Sequence, residues 1–585
     1  MPASTYSSLP RIQVDGQVLD TQVAAHVQEV VVDQSLHLPD MFHIVLMDPT
    51  RNVLGEARVK IGTRVTISAV PIEGAGGDVL IAGEVTSMEG MYGAHGAHVV
   101  VRGYDASHRL HRGRTTEVYK NAKDSDIVRK VCQRNNLQPG DIDDSGIVYD
   151  HVSQANLSDF DFLKARAREI GYEMAVLDGK VHFTRPIRSA QAPEEGHLGS
   201  DNPLQLVLGQ NLVEFRPRVT ASEQVAEVHV RGWDPAQKKV VVARAPATTQ
   251  SVKLSTEPAE LSRTFGGPNF VAVDRPLATQ REVDSAAAAI AEQIASAFAE
   301  GDGVARGNQK LKAGLPVSIS MVGEPFCGKY TLTHTRHVFA THHEYLTHFT
   351  ISGRQERSLL GLVSMGSTNG SASGGGPPID GVVIAQVTGN DDPSKLGRVK
   401  LRFPWLSDDY ESDWARVAHL GAGPDSGAIF LPEVGDEVLV AFEFGEVRRP
   451  YVVGGLWNGE DKPTHLSGIF DNGKLKRRGF VSRKGHQLLL HDDPGKSGIT
   501  LTSSDGKLKV DLDETGGQIQ ISCQGKVKLS SMESMTLESQ QDIAMRAQTG
   551  ISIESQAQLS LKGEAGLTAG SSGNTAISGA VVQIN

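Results

Sequence analysis

Divided into blocks of eight, residues 517–580 read GQIQISCQ GKVKLSSM ESMTLESQ QDIAMRAQ TGISIESQ AQLSLKGE AGLTAGSS GNTAISGA. The third and fifth positions of each block hold a pair, strongly apolar in the first six blocks and weaker in the last two: Ile519 and Ile521, Val527 and Leu529, Met535 and Leu537, Ile543 and Met545, Ile551 and Ile553, Leu559 and Leu561, Leu567 and Ala569, Thr575 and Ile577. Residues two apart share one face of a strand, and an even period keeps that face constant. In a helix they would lie about 200° apart. The repeat therefore predicts short strands joined by polar turns.

This predicted series of strands has one apolar face and nothing within the segment to cover it. An ordinary sheet would rarely keep one period over so many residues, and a single-chain, three-sided β-solenoid needs roughly twenty residues per coil. Three identical chains wound together would point all the pairs at a common axis. We therefore predict an obligate homotrimer that ends in a stiff needle over residues 517–585. Its core would be the pairs named above, apart from Ala569 and Thr575.

The overall composition is ordinary for a soluble protein with several domains. The 585 residues predict three or four domains, and 62 glycines with only 5% aromatic residues favour turns and strands. A net charge of −11 argues against a dedicated nucleic-acid binder. The cysteines Cys132, Cys327 and Cys523 are scattered and odd in number, so they predict neither a disulfide framework nor a metal knuckle. We predict no cofactor and no metal.

The start of the chain lacks the pattern of a secretory leader. Residues 1–20 have neither a basic segment nor an apolar segment, and no apolar run approaches twenty residues. We therefore expect synthesis in the cytoplasm without a signal peptide, followed by export through another route.

Residues 1–365 read as a mixed α+β region with three predicted helices. One covers about residues 125–135, a second begins at Ser158 and ends at Gly171, and a third begins with the capping box at Thr279 and ends at Gly301. Residues 366–378 form a Gly/Ser-rich linker. Residues 379–458 read as a small all-β barrel, with strands predicted at 398–403 and 437–444. Residues 459–516 read as connecting β-hairpins that lead into the octads. The predicted fold class is mainly β, with an α+β region at the start.

Several motifs carry a family resemblance. In the first region they are residues 103–105, 125–137, 158–163, 169–171, 228–234 and 328–330, and in the barrel they are 396–405, 431–438 and 450–458. In this order they resemble the VgrG-type spike of contractile injection systems, which is similar to the hub and needle of a contractile phage tail fused in one chain. The stretch LGRVKLRFPW at 396–405 is the most specific, and the resemblance covers nearly the whole chain.

The resemblance implies a trimeric hub that meets an inner tube with pseudo-sixfold character, an OB-fold collar, and a triple-stranded β-helix needle. Such a spike is driven forward when a sheath contracts and pierces the target envelope. A PAAR-type cap commonly sits on its tip, and effectors travel with it. Here Val581, Val582 and Ile584 would form an apolar docking platform for the cap. We expect neither of the family's optional additions: a lysozyme domain has no room between collar and needle, and no effector domain is expected after the octads.

Two motifs resemble catalytic or nucleotide sites. HHEYLTH at 342–348 suggests a zinc-protease motif, but Thr347 stands where the second histidine belongs and the flanks alternate like strands. GKS at 495–497 suggests a phosphate-binding loop, but Leu490 stands where its first glycine belongs. We expect surface-strand histidines and a hairpin turn.

Two basic groups could suggest other ligands. Arg398, Lys400 and Arg402 form a stripe on the predicted OB-fold, but no aromatic residue is predicted on that face and acidic residues follow. The second group, which could touch lipid headgroups, comprises Lys474, Lys476, Arg477, Arg478, Arg483 and Lys484. We expect solvated or paired charges in both.

We therefore predict a non-enzymatic mechanical component. Its expected partners are two further copies of the chain, inner-tube and baseplate proteins, a PAAR-type tip protein, effector cargo and, transiently, the target membrane, but no nucleic acid. Two alternatives stay open: a trimeric receptor-binding fibre, and a spike-associated peptidoglycan hydrolase or metallopeptidase. The sequence leaves open whether the machine is a type VI apparatus, a released particle or a phage-derived tail.

Overall fold

The computed structural model describes residues 8–71, 77–94, 96–177, 179–196, 202–341, 343–354, 379–463, 469–471 and 473–584. The predicted linker at 366–378 lies outside these residues. The chain divides into two compact units, Met1–Lys462 and Pro463–Asn585.

The first unit contains six α-helices in its described part and most of the strands. The helices are α1 (Thr21–Ala24), α2 (Val53–Glu56), α3 (Asp124–Arg134), α4 (Asp159–Glu169), α5 (Pro258–Thr264) and α6 (Gln280–Ser296). The strands before residue 355 are β1 (Ser8–Val14), β2 (Gln17–Val18), β3 (Val27–Ser35), β4 (Met41–Met47), β5 (Arg64–Pro71), β6 (Asp78–Gly93), β7 (Gly96–Asp105), β8 (Thr115–Lys123), β9 (Gln138–Ile142), β10 (Val148–Leu157), β11 (Glu173–Leu177), β12 (Lys180–Thr184), β13 (Gln205–Val207), β14 (Leu212–Val219), β15 (Glu227–Asp234), β16 (Lys239–Pro246), β17 (Val252–Leu254), β18 (Asn269–Ala272), β19 (Ala299–Arg306), β20 (Pro316–Ser320), β21 (Gly328–Thr331), β22 (His334–Ala340) and β23 (His343–Ile351).

One large antiparallel sheet organises the region up to residue 354, which we call the hub. Within the described residues it has eleven strands in the order β14-β19-β23-β22-β3-β4-β7-β6-β5-β1-β2. Its centre joins distant parts of the chain, because Val30 of β3 pairs with Phe339 of β22. Val30, Val32 and Phe42 are fully buried beneath it. The core is therefore assembled from both ends of the hub sequence.

The predicted helices are present, and their caps explain where two of them begin. The Ser158 hydroxyl accepts a hydrogen bond from the Asp161 amide at 3.1 Å, and Thr279 forms a capping box with Glu282. The prediction that the third helix extends to Gly301 was wrong. It ends at Ser296, and Gly301 lies in β19 against the Phe215 ring. The alanine-rich run continues with apolar residues into a buried strand, so the sequence gives no clear stop.

Residues 379–458, which we call the collar, form the predicted barrel. Its strands are β24 (Val382–Gly389), β25 (Lys400–Arg402), β26 (Arg416–Val417), β27 (Ala422–Gly423), β28 (Ser426–Gly427), β29 (Glu437–Phe442) and β30 (Pro450–Gly455). Five of them run in the order β25-β24-β29-β30-β26, and the bridge between Val399 and Ala415 joins the two ends. Val399, Leu401 and Phe403 are fully buried inside. The strand predicted at 437–444 ends at Phe442, because a short 3₁₀ turn follows.

The second unit begins with the predicted hairpins. Its strands are β31 (Phe470–Asp471), β32 (Lys474–Leu475), β33 (Arg477–Val481), β34 (Gln487–Asp493), β35 (Lys496–Thr502), β36 (Leu508–Asp513) and β37 (Gln518–Cys523). The last five form an antiparallel meander in sequence order. The first octad pair, Ile519 and Ile521, lies in β37 opposite Leu512 and Val510. Sheet pairing within one chain therefore extends into the octad repeat.

Candidate functional site

The octads after β37 leave their apolar residues uncovered. From residue 524 to residue 584 the chain forms no strand with any described part of itself. The apolar side chains at the third and fifth octad positions, including the pair in β37, are between 52% (Leu559) and 75% (Ile577) exposed. Such a contiguous apolar surface is typical of an interface and atypical of a free surface.

The residues predicted to dock a tip protein are also exposed. Val581 is 84%, Val582 49% and Ile584 87% exposed. They follow directly after the last octad and continue its apolar character. Within one chain, therefore, nothing described covers either the predicted trimer core or the predicted tip.

A buried ion-pair network stabilises the hub where it contacts the collar. The fully buried Arg166 of α4 donates two hydrogen bonds to the Asp124 carboxylate of α3, at 2.7 and 3.2 Å, and a third to Glu169. Its guanidinium also lies 4.6 Å from the centroid of the Tyr149 ring. Burial disfavours the charge, but the Asp124 and Glu169 carboxylates outweigh it and raise the pKa of Arg166 above its usual range.

The collar continues this network. Arg448 forms an ion pair with Glu446 and lies 3.8 Å from Glu169 of the hub. Here too burial opposes the charge, and the two carboxylates raise the pKa of Arg448. A charge that is buried from water is costly when its partner is missing. The network therefore stabilises one arrangement of hub and collar. No local pattern predicts the network, because Asp124 lies 42 residues before Arg166 and Arg448 lies 279 residues after Glu169.

Two further polar contacts join hub and collar. The hydroxyls of Ser153 and Tyr410 lie 3.2 Å apart, and the His151 ring lies 3.1 Å from the Glu411 carbonyl oxygen. Burial lowers the pKa of His151, so the ring is neutral at pH 7 and can donate to that carbonyl. Hub and collar therefore contact each other through specific polar pairs as well as through packing.

The histidine motif at 342–348 lies outside a helix. His342 and the His343 side chain lie outside the described residues, but the segment belongs to β23, which pairs with β22. A zinc protease needs a helix to bring two imidazoles onto one face. The strand contradicts that geometry and agrees with the strand predicted for this segment. Among the residues described, no group of three or more His, Cys, Asp and Glu side chains is arranged to hold a metal ion.

The basic stripe of the collar is paired within the chain. Arg398 donates to Asp392 at 2.8 Å, and Lys400 to Glu411 at 3.0 Å. The hydrogen bond from Arg398 holds the pKa of Asp392 well below its usual range. The prediction that no aromatic residue shares this face was wrong, because the Lys400 ammonium lies 5.3 Å from the centroid of the Trp414 ring.

The other two motifs are hairpin features. GKS at 495–497 lies at the turn between β34 and β35, as predicted. In the second basic group, Lys476 donates to Asp493 at 3.0 Å and Arg478 pairs with Asp492. No helix in the described part of the chain has the length and apolar character needed to cross a membrane.

Two family models match the sequence. Residues 383–457 match the type VI secretion system/phage-baseplate injector OB domain, which identifies the collar as an OB-fold. Residues 9–341, more than half of the chain, match the Alg8 N-terminal domain family, and the chain belongs to that family over this stretch. The description of that model names a domain and no reaction.

Curated relatives match shorter stretches. The spike protein VgrG2a of the Pseudomonas aeruginosa type VI secretion system is 29% identical over 141 residues, which cover 22% of this chain and 16% of the relative. The spike protein VgrG3 of Vibrio cholerae is 38% identical over 86 residues, covering 13% and 8%. These matches confirm the predicted resemblance to VgrG-type spike proteins. A further V. cholerae relative, the actin cross-linking toxin VgrG1, is 30% identical over 134 residues, covering 21% and 12%. The chain therefore matches less than a fifth of the length of each of these VgrG relatives.

Solved VgrG structures share the fold. One comes from the Francisella PdpA-VgrG complex in its half-lidded form. A chain of that complex superposes on this chain with a TM-score of 0.50 and 10% identity, covering 88% of both chains. The lidded form gives the same TM-score and identity, covering 89% of this chain and 81% of that one. The mainly β fold with a phage-hub-like first region and an OB-fold collar is thereby confirmed.

Proposed function

We propose that this VgrG-type chain is the homotrimeric spike and hub of a contractile injection machine. The hub would join the inner tube, and the octads of three chains would form a triple-stranded β-helix that pierces the target envelope. The function is mechanical and needs no active-site chemistry. A PAAR-type cap on the tip, effector cargo, baseplate proteins and brief contact with the target membrane complete the proposed partners.

The exposure of the octad pairs carries this proposal. Fourteen strongly apolar side chains, from Ile519 to Ile577, keep one strand face over eight octads, and each is more than half exposed in one chain. At about 25 cal/mol per Å² of apolar surface, leaving all of them in water would forgo a large stabilisation. Three intertwined copies remove this exposure with no other component.

The mass of the purified full-length chain tests the proposal. Multi-angle light scattering should give three times the chain mass of 62.6 kDa, with no monomer on dilution to the nanomolar range. A well-ordered monomer would overturn the needle and the puncturing function with it. Electron microscopy of particles from the native host would then identify the class of machine.

The proposed tip surface gives a separate prediction. Deleting residues 581–585 should leave the trimer intact, because the octads remain, but should abolish capture of a PAAR-type protein in a pull-down. Val581→Ser and Ile584→Ser together form a smaller version of the same change. Loss of the trimer in either variant would place these residues in the trimer core instead, and undiminished capture would remove them from the docking surface.

The two alternatives have their own tests. A receptor-binding fibre would bind glycans through the isolated needle, whereas a piercing needle would not. A hydrolase would clear peptidoglycan in a zymogram, and the clearing would depend on His343. The strand conformation of residues 343–351 disfavours the metallopeptidase.

A further inference from the structure

A pair of adjoining cavities lies between the hub and the collar. Each has a volume of about 280 Å³, and they share a wall formed by residues 275–278 of the hub and by Asp413, Arg448 and Arg449 of the collar. All lining residues lie within the unit that ends at Lys462. The size is that of a pocket for a small ligand or for two or three side chains of a peptide.

The shared wall holds arginines that the fold does not use. The Nε atom of Arg275 is buried and has no hydrogen-bond partner among the described residues. Arg449 lines the same two cavities, and within the described part of the chain its side chain makes no hydrogen bond or ion pair. Arg448, by contrast, is already paired with Glu446. A buried donor without a partner is costly, so an acceptor that reaches these arginines would stabilise the wall.

The rim of the first cavity is aromatic and strained. Trp233 and Trp414, two of the four tryptophans in the chain, line it together with Tyr451 and Phe444. Phe444 is 55% exposed and has φ 52° and ψ 27°. This left-handed conformation is unusual for a bulky residue, and such strain is concentrated at functional sites. An exposed aromatic ring is therefore held at the rim at a cost to the backbone.

The lining also contains carboxylates, and these hydrogen-bond acceptors limit which ligands the cavity can bind. Asp413 and Glu443 face the first cavity with Arg275 and Arg449. Because the lining carries both charges, it matches a partner that has hydrogen-bond donors as well as a carboxylate better than it matches an anion without donors. A polypeptide carries carboxylates for the arginines and N–H groups for Asp413 and Glu443. The arginine fork matches a carboxylate in a bidentate arrangement, and the aromatic rim matches apolar side chains.

We propose that this cavity binds an acidic, aromatic-containing segment of a partner polypeptide. One carboxylate of the segment lies on Arg275 and Arg449, and an apolar or aromatic side chain packs against Trp233 and Phe444. The site lies apart from the octads and does not depend on the trimer proposal. A failure to bind would leave the mass measurement unaffected, so the two proposals can fail separately.

Calorimetry with the full-length protein tests the site. The probe is a blocked hexapeptide of alternating glutamate and phenylalanine, compared with its lysine–phenylalanine counterpart and with inorganic pyrophosphate. We expect saturable binding of the acidic peptide, one per chain, which weakens as salt is raised. Arg275→Gln and Arg449→Gln should each reduce the affinity about tenfold or more, the loss expected for a charge-assisted hydrogen bond. Arg11→Gln is the matched control, because Arg11 is exposed on β1 and does not line the cavity.

A second variant separates binding from folding. In Phe444→Gly the backbone strain disappears, because glycine adopts the left-handed region freely. Denaturation should therefore occur at the same or a higher denaturant concentration, while the acidic peptide binds about threefold to tenfold more weakly. A purely structural Phe444 would give the opposite pair of results.

Several outcomes would overturn the proposal. They are equal binding of the lysine peptide, binding of pyrophosphate alone, and an affinity unchanged by Arg275→Gln. A second copy of the chain could instead occupy the cavity. In that case the acidic peptide would not bind, and Arg275→Gln would lower the mass of the assembly in light scattering.

Discussion

The hub and the octad segment both place apolar residues on one strand face, but they cover that face differently. In the hub, Val30 and Val32 are fully buried in a core made of residues of the same chain, among them Phe339 and Tyr345 more than 300 residues away. In the octads, Ile551 and Ile553 are each 55% exposed, and no described part of the chain covers them. The comparison shows that a strand periodicity specifies which residues become buried, whereas the source of the covering surface depends on the rest of the sequence.

A charge in the octad core should have the largest effect. Ile551→Asp would place three unpaired carboxylates in one layer of the proposed needle, at a cost of several kcal/mol each. We expect complete loss of the trimer in light scattering, with the unit that ends at Lys462 still folded. Ser552→Asp is the control, because its neighbouring position points away from the apolar face. If the Ile551→Asp protein were still a trimer, the octads would not bury their apolar face between chains.

Loss of a buried hub carboxylate should have the next largest effect, and in the other region. Asp124→Ala leaves the buried Arg166 with Glu169 as its remaining partner, which should lower the free energy of unfolding by about 3–5 kcal/mol. Tryptophan fluorescence in a urea titration reports this unit alone, since Trp233, Trp405, Trp414 and Trp457 all precede Lys462.

The control for that variant is an exposed ion pair. Asp391→Ala breaks the pair with Lys395, in which the two side chains are 94% and 79% exposed. It should change the free energy of unfolding by less than about 1 kcal/mol. Equal effects of the two substitutions, or a lower trimer mass for Asp124→Ala, would contradict the interpretation of the network as internal to one chain.

Lowering the pH should destabilise the hub but not the octads, and this effect should be smaller than those of the substitutions above. Burial lowers the pKa of His337 from 6.5 to about 3 in the folded hub. The folded state therefore binds fewer protons, and stability that is complete above pH 6.5 falls as the pH decreases toward 3. At pH 5 the loss from this residue is roughly 2 kcal/mol.

The octads contain no histidine, so the mass of the trimer on dilution should be the same at pH 7 and pH 5. His337→Gln should flatten the slope of hub stability with pH. Part of the slope should remain in this variant, because burial also lowers the pKa of His37. An unchanged slope in the variant would show that His337 is not responsible for the acid sensitivity.

Local signals in the sequence predicted the local parts of the fold. The capping residues Ser158 and Thr279 located two helix starts, and the alternation around Leu401 located a barrel strand. The period of eight gave the apolar face of the octads. The end of the third helix was missed because alanines and apolar residues suit both α6 and the following buried strand.

Features made by distant residues had no signal in the sequence. The pairing of Val30 with Phe339, the contact of Glu169 with Arg448, and Trp414 beside Lys400 depend on how separate segments meet. The arginine-lined cavity belongs to the same class, because its hub and collar walls come from residues about 135 to 220 apart. Periodicity and capping rules act over a few residues, so they cannot predict contacts between distant segments.

The pairing of β3 with β22 has a consequence for synthesis on the ribosome. The edge of β3 that β22 later covers stays open until about 300 further residues have been translated, which takes roughly 15–60 s at 5–20 residues per second. Such sequence-distant pairing slows folding and leaves the unpaired N–H and C=O groups of β3 available to other nascent chains. Ribosome-bound fragments that stop before residue 334 should therefore associate with a holdase chaperone, and fragments that extend past residue 351 should release it.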